Sequence, residues 1–199
     1  MLFLPLSIII FLLLLLSLPL LFLLIQVKIV GTAFTKLGIS PPIAILIFFL
    51  SLVGSTINIP LYFAHLNLIN QQVIAINVGG AIIPLLICIY LLPKTPLLPT
   101  LTATLVSIGI CYSLAKPIPG VGITIPALIP PLVSVLLSFI LSYKNRVPVA
   151  YISGVLGVLI GADLLHMGSM TAMPGIMSIG GAGVFDGIFL VGILAALLS

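Results

Sequence analysis

Two aspartates, Asp163 and Asp186, are the residues of this sequence that could carry chemistry. They are its only acidic residues, and each lies in or at the end of a strongly apolar segment. An aspartate inside a membrane-spanning helix costs roughly 2.5–3.5 kcal/mol even on the lenient scale measured by cellular insertion, so such a residue usually serves a function. Two carboxyls that share a proton can act as an acid and a base. Asp163 and Asp186 are therefore the candidate catalytic pair.

The composition is that of an integral membrane protein. Of the 199 residues, 62% are hydrophobic and only 4% are charged, whereas about a quarter of the residues of a soluble domain are charged. We expect a single membrane-embedded domain over residues 1–199, with the lipid bilayer as its surroundings. The net charge of +4 is scattered singly between apolar segments, which indicates membrane topology and argues against nucleic acid as a partner.

Seven apolar segments approach the ~20 residues that a helix needs to cross a bilayer. We predict an all-α, polytopic helical membrane protein, some of whose helices are interrupted by Pro and Gly. Cys88 and Cys111 lie inside apolar segments and indicate neither a disulfide nor a metal cluster. The sequence predicts no cofactor and no metal site, and it leaves the oligomeric state open. The predicted spans are about 2–26, 42–63, 73–92, 100–115, 125–142, 148–166 and 183–199.

The basic residues indicate how these spans are oriented. Positive residues concentrate on the cytoplasmic side of a membrane. Only Lys116 falls on an even-numbered loop, so we expect the N-terminus outside and the C-terminus in the cytoplasm. The basic residues on odd-numbered loops are Lys28, Lys36, Lys94, Lys144 and Arg146.

A helical rise of about 1.5 Å per residue places the two carboxyls at nearly the same depth. Asp163 is then roughly 22 Å, and Asp186 roughly 20 Å, from the cytoplasmic end of its helix. Consecutive helices joined by a short loop usually pack side by side. We therefore expect the carboxyls to lie within roughly 8 Å of each other across a polar cavity, in the outer third of a core about 30 Å thick.

Other unusual residues are expected at that depth. Asn58 and Asn77 lie near the outer ends of spans two and three, where each on its own could simply bond a neighbouring helix. The Pro- and Gly-rich stretch 116–131 opens span five, and such interruptions are tolerated where backbone lines a wet cavity or is buried in protein. We expect a substrate-binding or cavity-lining set of Asn58, Asn77, Pro126, Ala127, Leu128, His166 and Gly183.

Span six carries a glycine face. Gly154, Gly157 and Gly161 lie within about 60° of one another around a helix, and Asp163 points roughly the opposite way. Small residues at this spacing allow a neighbouring helix to approach closely. We expect span six to be central in the bundle, with one face packed and the other presenting the acid.

Several stretches resemble the prokaryotic membrane family known as domain of unknown function 1614. The most specific are Gly-Ala-Asp-Leu-Leu at 161–165 and Ser-Ile-Gly-Gly-Ala-Gly-Val-Phe-Asp-Gly-Ile-Phe at 178–189. Shorter matches occur at 36–41, 54–60 and 119–123. The resemblance implies a multi-pass protein of a prokaryotic cell membrane, and it implies no particular activity.

A looser resemblance is to the intramembrane aspartyl proteases of the presenilin and signal peptide peptidase type. Those enzymes place one catalytic Asp on span six and another on span seven, within Gly-x-Gly-Asp, and they use a Pro-Ala-Leu motif. Asp163 and Asp186 occupy the matching spans, and Pro-Ala-Leu occurs at 126–128. Here Gly-Val-Phe precedes the second Asp, and Pro-Ala-Leu precedes both acids. The resemblance implies hydrolysis of a transmembrane peptide, with the glycines at 180, 181, 183 and 187 leaving room for an extended substrate.

Three other interpretations remain open from the sequence. The acids could form the site of a proton- or cation-coupled transporter or channel, whose partner would be a small ion. They could be structural, with Asp186 capping the start of span seven and Asp163 bonding a loop amide. The loop after span six could bind copper(I) through thioether and imidazole groups, or its methionines could simply fill an irregular loop. The residues of that loop are His166, Met167, Met170, Met173 and Met177.

Overall fold

The part of the chain that the structure describes contains seven helices. A computed structural model describes residues 6–65, 71–118, 122–170 and 175–199. The three helices long and apolar enough to cross a membrane are the first, fourth and sixth, and the other four are shorter apolar helices. The predicted helical membrane protein is confirmed. The helices are α1 (Leu6–Lys36), α2 (Pro41–Gly54), α3 (Val78–Lys94), α4 (Leu97–Leu114), α5 (Ile129–Leu141), α6 (Tyr143–Ser169) and α7 (Gly187–Leu198).

Two small sheets interrupt the helices. The larger contains β1 (Asn58–His65) and β2 (Gln71–Asn77), which form an antiparallel hairpin between α2 and α3. The smaller pairs β3 (Lys116–Ile118) with β4 (Gly122–Thr124) between α4 and α5. A last strand, β5 (Gly175–Ile179), follows α6 and runs parallel to β2, so the order of the larger sheet is β1-β2-β5.

These strands correct the predicted spans 42–63 and 73–92. The prediction of helix over residues 58–63 and 73–77 is wrong, because both segments are strands. Both segments are rich in β-branched and aromatic residues, and a short apolar run of this kind fits a buried strand as well as a helix. Pro60 also has no N–H to continue a helix, whereas it is tolerated in β1 because that strand lies at the edge of its sheet.

Other boundaries also differ from the predicted ones. Helix α1 runs ten residues beyond the predicted end of span one and carries Lys28 inside it. Within the stretch 116–131 the described residues form β3, β4 and the start of α5, and β5 lies in what was predicted as a loop at 166–182. The predicted start of span one at residue 2 lies outside the described residues, as do 119–121 and 171–174.

Helix α6 lies at the centre of the bundle, as its glycine face predicted. It packs against α3, α4, α5 and α7. A Cβ added at Gly157 would lie 2.8 Å from the Ser107 Cβ of α4, and one added at Gly154 would lie 3.1 Å from the Ser134 Oγ of α5. The backbone of α6 therefore lies directly on its neighbours. Beyond Leu156 the helix widens into a π-helical segment, Gly157–Asp163, a feature that is frequent at functional sites.

Replacing Gly157 by alanine tests this packing. Because the new methyl would overlap Ser107, we expect Gly157→Ala to lower the free energy of unfolding by about 1–3 kcal/mol. Gly109 of α4 is the matched control, since a Cβ there meets no atom within 4 Å and alanine is favoured over glycine in a helix by up to about 1 kcal/mol. Unfolding of both variants in one detergent measures the difference. Equal stability of the two would contradict the close contact.

Candidate functional site

Asp186 lies at the start of α7 and caps that helix. Its Oδ1 accepts a hydrogen bond from the Ile188 N–H at 2.9 Å, and its Oδ2 accepts one from the Ala182 N–H at 3.4 Å. The backbone extends into Asp186 and turns helical at Gly187, which is the usual geometry of an aspartate N-cap. The carboxylate is thereby held in one orientation, on a partly buried side chain.

A glycine turn positions Asp186 against the rest of the bundle. Gly180 and Gly183 have φ of +72° and +62°, and a Cβ at Gly180 would lie 2.7 Å from the backbone nitrogen of Ala81. Glycine is the residue that accepts both the positive φ and the close approach. The hydroxyl of Ser55, at the end of α2, accepts a hydrogen bond from the Val184 N–H at 3.2 Å. The turn is thus anchored to α2 and α3.

Asp163 ends the π-helical segment of α6 and differs from Asp186 in its bonding. No described residue donates a hydrogen bond to its carboxyl, and the side chain is only partly exposed. A partly buried carboxyl without donors is costly in a membrane protein. The structural interpretation therefore fits Asp186, which caps a helix, but finds no loop amide at Asp163 within the described part of the chain.

Both carboxyls line the same two adjoining cavities. A polar cavity of about 430 Å³ is bounded further by Asn58, Ser178 and the backbone of the glycine turn. An apolar cavity of about 330 Å³ adjoins it, lined by residues of β4 and of the segment before α5, by α6, and by α7 with the residues just before it. Ile123, Asp163, Ala182 and Asp186 border both. Both carboxyls therefore share one lining, and their separation of roughly 8 Å stays a prediction.

Strands β1, β4 and β5 all border the polar cavity, β1 through its first residue, Asn58. Met177 and Ser178 come from β5, and Gly122 and Ile123 come from β4. In the described sheets β5 is an edge strand, and β4 is paired on one side only, by β3. No lysine or arginine lines either cavity. The site therefore combines two acids, strand backbone with open hydrogen-bonding edges, and no compensating positive charge.

Asn58 and Asn77 belong to one hydrogen-bond network but have different positions. Asn58 lines the polar cavity, and its Oδ1 accepts hydrogen bonds from Asn77 Nδ2 at 3.0 Å and from Ser178 Oγ. Asn77 is fully buried, donates to the Ser55 carbonyl at 2.9 Å and accepts from the Gly80 N–H. Asn77 thus joins α2 to the start of α3, whereas Asn58 is available to the cavity.

The remaining predicted site residues are divided. Ala127 lines the apolar cavity, but its neighbours Pro126 and Leu128 do not, and Leu128 is exposed at the start of α5. His166 stacks on Tyr112 of α4, and its Nδ1 lies 3.0 Å from the Ala162 carbonyl. Gly183 packs against Ser55. Pro126, Leu128, His166 and Gly183 line neither cavity.

The sequence alone did not identify four residues that border the acids. Ser178, Gly122, Ile123 and Ala182 are brought to the cavity by the pairing of β5 with β2 and by the β3–β4 hairpin. The Ser-Ile-Gly-Gly run at 178–181 was a signal, since glycines after a short apolar run indicate a strand followed by a tight turn.

No metal-binding cluster is formed by the described residues. Among them, no three His, Cys, Asp or Glu side chains are placed to hold a metal ion. Of the methionines in the copper(I) interpretation, Met177 lines the polar cavity, whereas Met173 lies outside the described residues. The imidazole of His166 lies against backbone carbonyls of its own helix.

Comparison with known proteins finds one family. The model of a family described as "Protein of unknown function (DUF1614)" matches residues 50–198, which include both acids and every residue that lines their cavities. No curated protein and no solved structure matches the chain.

The two acids should differ in what they contribute to stability. Asp186→Ala removes the cap of α7 and should lower the free energy of unfolding by about 1 kcal/mol, whereas Asp186→Asn keeps a capping oxygen and should lower it little. Asp163→Asn should leave stability unchanged or raise it, because no hydrogen bond is lost and an amide is cheaper to bury than a carboxylate. Thermal unfolding in one detergent compares the three variants. A loss at Asp163→Asn as large as at Asp186→Ala would indicate a structural role for Asp163.

Proposed function

The chain belongs to the DUF1614 family of proteins of unknown function, and we propose that it is a di-aspartyl intramembrane hydrolase that cleaves a membrane-embedded polypeptide. The observation that carries this proposal is the shared cavity: Asp163 and Asp186 come from different helices and border one polar space that strand residues also line. The adjoining apolar cavity would hold the side chains that flank the scissile bond.

The hydrogen bonds of the two carboxyls indicate which would act as the base and which as the acid. Asp186 accepts two backbone N–H groups, and such donors favour the ionised form of a carboxyl. Asp186 is therefore assigned as the base and Asp163, which lacks donors among the described residues, as the acid. Water in the polar cavity would lose a proton to Asp186 while its oxygen bonds to the peptide carbonyl carbon. Asp163 would protonate the carbonyl oxygen. When the C–N bond then breaks, the proton held by Asp186 passes to the departing nitrogen, and one hydroxyl of the gem-diol returns its proton to Asp163, so that both carboxyls regain their starting states.

The strands support a peptide as the substrate. A helical peptide hides its carbonyls in its own hydrogen bonds, so cleavage requires a locally extended chain. An extended segment can add to the open edge of a sheet through backbone hydrogen bonds. Residues of β5 and of β4 line the same cavity as both acids, and in the described sheets each of these strands is paired on one side only. A segment placed between them would present its carbonyl to the two carboxyls.

Cleavage of single-span peptides by purified protein in liposomes tests the hydrolase. Wild type should cut at least one member of a panel, and Asp163→Asn and Asp186→Asn should each lower the rate by about 10²–10⁴-fold, because each removes one proton-transfer group. The rate of wild type should fall on both sides of an optimum pH, since one carboxyl must be protonated and the other ionised. Ser113→Ala, on the exposed part of α4, is the control for reconstitution and should cut like wild type.

A flux assay with the same liposomes tests the second candidate function, that of a proton- or cation-coupled transporter. It is favoured by one observation: the Asp163 carboxyl, to which no described residue donates a hydrogen bond, lines a cavity that Asn58 also lines. A transporter should show proton or cation flux that Asp163→Asn abolishes. If wild type cuts no peptide while such flux depends on Asp163, the hydrolase proposal fails and transport replaces it.

The proposed topology puts the N-terminus outside and the C-terminus in the cytoplasm. Lys36, Lys94, Lys144 and Arg146 lie at one set of helix ends, and Lys116 lies between α4 and α5 at the other. This distribution supports a positive cytoplasmic side, in the membrane of a prokaryotic cell.

Cysteine labelling from either side of the membrane tests this topology. Cys88 and Cys111 are both buried. They should therefore react little with a thiol reagent, and labelling of a single new cysteine can be measured above their signal. A membrane-impermeant thiol reagent added outside intact cells should label Lys116→Cys and should spare Lys144→Cys until the cells are opened. Labelling of both from the same side would contradict the proposed orientation.

A further inference from the structure

A groove between α2 and α3 is separate from the acid cavities. Its volume is about 480 Å³, and its walls are mostly leucine and isoleucine side chains. It shares no lining residue with either acid cavity. Several lining side chains, including Ile43, Leu50 and Leu86, are more than half exposed. In a membrane protein such a surface is in contact with lipid chains.

The groove has a defined polar end. Gly54, at the end of α2, packs against Gly79, near the start of α3, so the two helices run antiparallel. The start of α2 and the end of α3 therefore meet at the same end of the groove, where Ser40 and Tyr90 line it. The acids lie near the opposite ends of these helices, beside β1 and the turn that packs on α3.

Two hydrogen-bond donors stand at this polar end. The ammonium group of Lys94 lies 3.5 Å from the centroid of the ring of Tyr90, which lines the groove. Ser40 precedes α2 at the N-cap position but makes no capping bond with its side chain, and Pro41 and Pro42 after it have no N–H to offer. The Ser40 hydroxyl is exposed. No carboxylate lines the groove, so the lysine charge is not offset there.

We propose that this groove is a binding site for an anionic phospholipid. One acyl chain lies along the apolar walls between α2 and α3, and the phosphate is bound by the Lys94 ammonium and the Ser40 hydroxyl. The apolar walls explain why the occupant is a lipid, and the uncompensated lysine at one end explains why the headgroup is anionic. The proposal is independent of the hydrolase, because the two sites share no residue.

Lipid binding to purified protein in nanodiscs or mixed micelles tests the site, with phosphatidylglycerol and phosphatidylcholine of the same chains as the probes. Native mass spectrometry or a thermal shift gives the relative affinity. We expect wild type to prefer phosphatidylglycerol by about fivefold, the effect of one lysine near an anionic phosphate. Lys94→Gln should remove this preference, and Lys94→Arg should retain it. Leu86→Trp, which fills the groove, should weaken both lipids.

Lys144→Gln is the matched control, since it removes the same charge from an exposed residue between α5 and α6, away from the groove. It should keep the preference of wild type. Equal loss in Lys144→Gln and Lys94→Gln would show a general surface-charge effect and overturn the site. Equal affinity of wild type for the two lipids would also overturn it. Neither result bears on cleavage by Asp163 and Asp186, which is measured separately.

Discussion

Backbone hydrogen bonding in apolar surroundings is the constraint on which the rest of this structure depends. Within a bilayer an unpaired N–H or C=O costs several kcal/mol, so non-helical backbone survives only where protein or a wet cavity supplies partners. Here the chain forms strands beside the acids, and the backbone of each strand in the larger sheet is hydrogen-bonded to another strand. The strand β5 pairs with β2, and β2 pairs with β1. Asn77 satisfies the Ser55 carbonyl and the Gly80 N–H where strand becomes helix.

Close backbone contacts also determine where the segments that carry the two carboxyls lie. The turn before α7 fits against α3 because Gly80 and Gly180 have no side chains there. Helix α6 fits against α4 in the same way, through Gly157 and Gly161. In the sequence, Asp163 comes two residues after Gly161, and Asp186 comes six residues after Gly180. The positions of the two acids are thus set by glycine packing on different parts of the bundle.

The two acids have unequal environments, and the proposed chemistry depends on this inequality. Asp186 is oriented by two N–H donors and would be found at the start of many helices with no catalytic role. Asp163 has no such local explanation, yet it borders the same cavities. A pair of carboxyls with distinct environments is what acid–base chemistry requires. The proposed lipid groove lies at the far ends of α2 and α3, so the bundle would have one polar site at each end of these helices.

The sequence predicted the features that depend on neighbouring residues and missed those that depend on residues far apart in the chain. Local hydrophobicity was sufficient to predict the seven helices of the described chain, and the spacing of Gly154, Gly157 and Gly161 predicted the central position of α6. A functional role for Asp163 and Asp186 stays a prediction. Local hydrophobicity was insufficient for the larger sheet, because a short apolar run such as 73–77 suits a strand as well as a buried helix. Only tertiary structure decided that β5 pairs with β2 across about a hundred residues, and so brought Ser178 to Asn58 beside the acids. Helices form from contacts within one turn, which a sequence displays directly, whereas a parallel strand pair depends on partners that no local pattern names.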